Sequence, residues 1–132
     1  MKKPQRKSNR GSFSAMIAII SVSLVGLGGL VFDGGRVVST YLEISDDAAN
    51  AARIGTQQIV NIRAGEPIID VERSHIMMSR YLLERGYQSS VFVEGIQITV
   101  SISKRVPMKV LNMFGVGYRT VTVQRTVQAV SQ

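Results

Sequence analysis

The stretch GSFSAMIAIISVSLVGLGGLVF, residues 11–32, carries no charged side chain over 22 residues. As a helix rising about 1.5 Å per residue it measures about 33 Å, against a bilayer hydrocarbon core of about 30 Å. A buried helix of a water-soluble domain is seldom apolar on every face for so long. Its competitor is a cleaved secretory signal, which also has a basic start and an apolar middle. The run exceeds a usual signal core, and Leu30-Val31-Phe32-Asp33 offers no small-x-small cleavage site. The reading is a retained transmembrane helix, residues 11–32.

Charge around this stretch sets its direction. The chain has 132 residues with 16 Lys and Arg against 9 Asp and Glu, a net charge of +7. Lys2, Lys3, Arg6, Lys7 and Arg10 lie in residues 1–10 without an acid, leaving 11 basic against 9 acidic side chains elsewhere. Lys and Arg stay preferentially on the cytoplasmic side, so residues 1–10 read as a basic cytoplasmic tail and residues 33–132 as the exterior domain. Because the excess charge belongs to a tail and not to a folded face, no nucleic-acid partner is expected.

Helical periodicity continues past Asp33. Val37, Tyr41, Ile44, Ala48, Ala51 and Gly55 recur at spacings of four and three, a seam on one face of a helix reaching about Ile62. Small residues in its second half would let a partner helix approach; the other occupant of the seam is the chain's own sheet. Gly34-Gly35 is a local weak point, a candidate swivel beyond the bilayer. Ala64-Gly65-Glu66-Pro67 ends the rod. A second helix is predicted from Asp70, an N-cap type, to Gly86, with Val71, Met78 and Leu82 inward and Ile76 and Leu83 nearby.

The period then becomes two. Val91 and Val93 form a short run that turns at Glu94-Gly95, and Ile96, Ile98, Val100 and Ile102 alternate with polar residues. Val121, Val123, Val127 and Ala129 make a third run, interrupted by Arg125. Val106 to Gly117 is too long for a tight hairpin and holds Val110, Leu111, Met113 and Phe114, which fits one helical turn or a wide loop. The fold class is therefore α+β: a long N-terminal transmembrane helix extending into an exterior domain, with a second helix and a small antiparallel sheet packed on the rod.

Chemistry is sparse. The chain has no Cys and a single His, which excludes thiol chemistry and multi-His metal centres. His75 falls between Glu72 and Ser79 at helical spacing, a row that arises by chance on exposed helices. Glu43, Asp46 and Asp47 share a helix face but lack the calcium-loop pattern, and Ala49, Asn50 and Ala51 give Asp46 and Asp47 no basic neighbour one turn on. They read as solvating the helix or meeting a cation on a partner. Gly26-Leu27-Gly28-Gly29 lacks the Lys-Ser/Thr of a phosphate loop and lies inside the apolar run, where small residues favour helix approach. Lys104, Arg105 and Lys109, beside Met108 and the apolar loop, either touch anionic headgroups or cap the sheet. No catalytic residue, metal or cofactor is expected, and no enzyme.

The order of features does carry a resemblance. A basic tail leads to Arg10-Gly11-Ser12. An apolar run then ends in Gly28-Gly29-Leu30-Val31-Phe32-Asp33-Gly34-Gly35-Arg36. On the same helix follows Asp46-Asp47-Ala48-Ala49-Asn50-Ala51-Ala52-Arg53. Over residues 10–60 this resembles the TadE/TadG-like pilus-assembly proteins, with Asp33, Gly35, Arg36, Asp47 and Arg53 as its family-like positions.

The resemblance implies a pilin-like exterior domain. It also implies a minor-pilin or pseudopilin-like subunit of a tight-adherence (Flp) pilus or related secretion apparatus. Its partners would be the lipid bilayer, the major pilin, the inner-membrane platform and further copies of itself. Gly11-Ser12 becomes a candidate prepilin-peptidase junction. The pattern places Glu five residues after that Gly, but Met16 stands here. A carboxylate in hydrocarbon is costly and is kept to meet a cation, so its absence removes a contact that would register a polymer. An accessory subunit packing through Met16, Gly28, Gly29 and the seam fits better than a repeating shaft protein. The alternative function is a membrane-tethered extracellular binding module unrelated to pili.

Overall fold

The computed structural model describes residues 10–60 and 68–129. Most of the basic tail and the 64–67 breaker lie outside them. Helix α1, Arg10–Thr56, runs unbroken for 47 residues, about 70 Å, straight through Gly34-Gly35. It ends earlier than the Ile62 expected from periodicity. Thr56 Oγ1 and the Gln57 N–H both donate to the Arg53 carbonyl, and the Gln58 N–H donates to Gly55. The chain then leaves to form β1, Ile59–Val60, antiparallel to β2, Ile68–Ile69.

Helix α2, Val71–Glu84, has the predicted ends. The Asp70 carboxylate accepts the Arg73 N–H at 3.0 Å, capping its start. At its close Gly86 takes φ +70°, and Gly86 and Tyr87 donate back to Leu83 and Leu82. This is the paired-bond C-terminal motif that needs a left-handed residue, here glycine. The buried face differs from expectation. Ser74, Met78 and Leu82 point inward at every fourth residue, whereas Val71, Ile76 and Leu83 are exposed. Ser74 fits inside because its hydroxyl donates to the Gly55 carbonyl at 2.8 Å.

Three strands, β3 (Gln88–Glu94), β4 (Gln97–Pro107) and β5 (Tyr118–Gln128), form an antiparallel sheet in that order. Glu94 pairs with Gln97, so the β3–β4 turn consists of Gly95, at φ +58°, and Ile96. Ile96 therefore sits exposed in the turn and does not belong to the inward row. From Ile98 the row is as expected: Ile98, Val100 and Ile102 are fully buried, and Val106, Val121 and Val123 nearly so. Arg125 falls on the same inward face and reaches Ser45 Oγ with its Nε at 3.0 Å. On the outer face, hydroxyl pairs Thr99–Thr126 and Ser103–Thr122 lie 2.9 Å apart.

The sheet and α2 cover the C-terminal half of α1, where Ile44, Ala48, Ala51 and Ala52 are sealed. Strand β4 runs antiparallel to the rod. Ile98 lies at Gly55, and Pro107 lies at Arg36, whose guanidinium donates to the Pro107 carbonyl at 3.0 Å. The nine extended steps from Ile98 to Pro107 and the nineteen helical steps from Gly55 back to Arg36 both cover about 30 Å, so strand and helix stay matched. The β4–β5 connection consequently continues past Asp33, alongside the apolar run.

Candidate functional site: the Asp33 collar and the bare helix

Two polar clusters fasten the domain to α1, and below them the helix is uncovered. The lower cluster is a collar around Asp33. Its carboxylate accepts three consecutive backbone N–H groups: Lys109 on Oδ1 at 2.9 Å, and Val110 and Leu111 on Oδ2 at 2.9 and 2.7 Å. These donors open the 3-10 turn Leu111–Phe114, which closes on Gly115 at φ +89°. One helical turn before Asp33, Gly29 is buried beneath this loop, and a Cβ there would stand 2.9 Å from Val110 Cβ. Glycine at 29 thus lets the loop lie flat on the helix.

The upper cluster gathers acids of α1 with tyrosines from elsewhere. Tyr87 Oη donates to Asp47 Oδ2 at 2.6 Å and reaches Glu43 Oε1 at 3.1 Å; Tyr81 Oη donates to Asp47 Oδ1 at 3.1 Å. Lys104 pairs with Glu43 at 2.9 Å and Arg85 with Asp47 at 3.3 Å, with Arg85 stacked 3.8 Å over the Tyr81 ring. Burial, then the Asp47 and Glu43 carboxylates, push the Tyr87 phenol far above its usual range; burial and Asp47 raise Tyr81 similarly. The hydrogen bond from Lys104 outweighs burial and holds the Glu43 carboxyl below the usual range. Glu43 and Asp47, which lack basic neighbours one turn away, find partners across the fold, and Asp46 is exposed.

The remaining predicted positions fall as follows. Ile44, Ala48, Ala51 and Gly55 of the seam meet the chain's own sheet and α2, with Val37 half-buried and Tyr41 exposed. Gly11, Ser12, Met16 and Gly28 lie exposed on the bare part of α1, and Arg53 is exposed in its last turn. Gly35 faces open space. His75 is exposed, its Nδ1 3.4 Å from Ser79 Oγ. Among the described residues no group of three acids or histidines is placed to hold a metal ion.

Sequence reasoning overlooked Tyr81, Tyr87, Arg85 and the backbone of residues 109–111. The only available signal was an acid just beyond an apolar run, which by itself reads as a solvated boundary.

Between Gly11 and Phe32 only Gly29 is buried, and α1 is the one helix among the described residues long and apolar enough to cross a membrane. No protein-family model, curated protein or solved structure matches this chain.

Proposed function

We propose that this chain is a membrane-anchored accessory subunit, minor-pilin or pseudopilin-like, of a tight-adherence pilus or a related secretion apparatus. The observation that carries the reading is the division of α1. One face of its second half, with Ile44, Ala48, Ala51 and Ala52, is covered by the chain's own domain, while its first half presents bare apolar surface, with Met16 58% exposed and Gly28 open. Any helix-helix assembly would therefore use residues 11–32 and not the upper seam. The resemblance at residues 10–60 supplies the apparatus. The positive-inside rule supplies a cytoplasmic tail and an exterior domain. Its work is packing in an assembly, without turnover of a substrate.

Cross-linking in the native membrane through a single cysteine at Met16 or Gly28 tests it. Adducts with a pilin or platform protein are expected, and intact mass shows whether the chain begins at Ser12 or keeps its tail. Absence of adducts, with the exterior domain acting as a free monomer, would favour a tethered binding module.

A further inference from the structure

We infer that the β4–β5 loop, residues 110–117, inserts into the leaflet on the domain's side of the membrane, as a second anchoring element beside α1. This rests on α1 spanning a bilayer, as proposed above.

Phe114 Cζ lies 3.9 Å from where a Cβ on Gly26 would stand, and Met113 and Phe114 form a shallow groove with Ser21, Val22 and Val25. Gly26 and Val22 precede Asp33 by seven and eleven residues, about 10 and 16 Å along the axis. Half a hydrocarbon core is about 15 Å. If α1 is embedded along residues 11–32, the loop lies within one leaflet.

Surface chemistry agrees. From Val110 to Tyr118 there is no charge, and Asn112 and the Tyr118 hydroxyl are the only polar side-chain groups. Met113 is 80% exposed, and Phe114, Val116 and Tyr118 are also turned outward, continuous with the bare face of α1. In water this would be a costly patch; in lipid it is not. Lys109, Arg105 and Arg119 flank it, all exposed, at the level where phosphate groups would lie.

Irregular backbone enters hydrocarbon only when its polar groups are satisfied by protein. Here they largely are. Asp33 takes the N–H groups of 109, 110 and 111. Those of Met113, Gly115 and Val116 bond to Val110, Asn112 and Leu111 within the loop, and Met108 bonds to Gly117.

The natural lack of cysteine gives a clean test. The full chain carrying M113C, V116C, I20C or T126C is labelled with an environment-sensitive fluorophore in phosphatidylcholine/phosphatidylglycerol vesicles. Blue-shifted emission at 113 and 116 is expected, with quenching by lipid-borne nitroxide several-fold above that at 126 and little quenching by iodide. Water-like emission at 113 and 116 with lipid-like emission at 20 overturns the inference and leaves the anchor standing. Water-like emission at 20 as well removes the anchoring reading itself. A blue shift at 113 that nitroxide lipids do not quench, and that fades on dilution in lipid, means a second copy covers the loop and likewise overturns it.

Discussion

Asp33 Oδ2 accepts the Leu111 backbone N–H at 2.7 Å, joining residues 78 apart in the chain at the point where the apolar run of α1 ends. One carboxylate at this boundary organises a whole loop, because three successive backbone N–H groups converge on it. Asp33→Ala removes the shared acceptor of those donors at a residue that is itself fully buried, beneath a loop that is only partly so. A loss of stability is expected, with Asp33→Asn losing less because it keeps one acceptor oxygen. Thermal unfolding in detergent micelles, together with trypsin cleavage at Lys109, would measure it. Unchanged cleavage in Asp33→Ala would show that the collar does not hold the loop.

Gly29→Ala should act on the same loop from beneath. Its Cβ would press on the Val110 side chain, which is branched at the contacted carbon and cannot swing aside. Faster trypsin cleavage at Lys109 is expected, with α1 intact by circular dichroism. Gly28→Ala, one residue away and facing open space, should behave as wild type.

Tyr87→Phe removes the hydroxyl that donates to Asp47 Oδ2 with Glu43 Oε1 also within reach, and should cost about 1–3 kcal/mol at neutral pH. Its pH dependence has a definite sign. The folded phenol ionises above its ordinary value of 10.0, so its contribution is complete below that value and declines as pH rises toward the folded one. Urea midpoints of wild type and Tyr87→Phe should therefore converge above about pH 10. A constant gap would contradict the cluster geometry.

Glu43 has the opposite sign. Its folded pKa lies below the ordinary 4.5, so its contribution is present above that value and fades as pH falls through the folded one. Its side chain is 52% exposed, so solvent screening keeps the effect small. Glu43→Gln should be slightly less stable than wild type at pH 7, and the difference should shrink as pH falls below 4.5.

In the core, Met78→Ala should cost about 2–5 kcal/mol, since Met78 is fully buried against Gly55. Gly55→Ala should also destabilise, because its Cβ would stand 2.6 Å from Ile98 Cδ1 inside the same packed layer. Chemical denaturation of the two variants would rank them.

The amino-acid sequence by itself determined the local elements. A charge-free run of bilayer length, a seam at spacings of three and four, Asp70 and Gly86 at the ends of α2, and alternating valines and isoleucines are written within short windows. Each element formed for those reasons. Local patterns misplaced the end of α1 and the position of Ile96, where backbone hydrogen bonds outside the pattern decided the boundary. On α2 they placed Met78 and Leu82 inward correctly but also Val71, which is exposed. Ser74 displaces the expected Val71 there because a distant carbonyl accepts its hydroxyl.

Only the tertiary structure decided what the polar residues at the helix surface do. Glu43 and Asp47 are acids with no basic residue one turn on, Asp33 has Arg36 there, and nothing nearby in sequence names Leu111, Lys104 or Tyr87. Those partners follow from β4 running antiparallel to α1 with matched length, which delivers the β4–β5 loop to Asp33 and Lys104 to Glu43. Periodicity reports which face of an element is buried. It does not report which distant element covers that face or where along it the covering ends, because that depends on registers fixed only when the whole chain is packed.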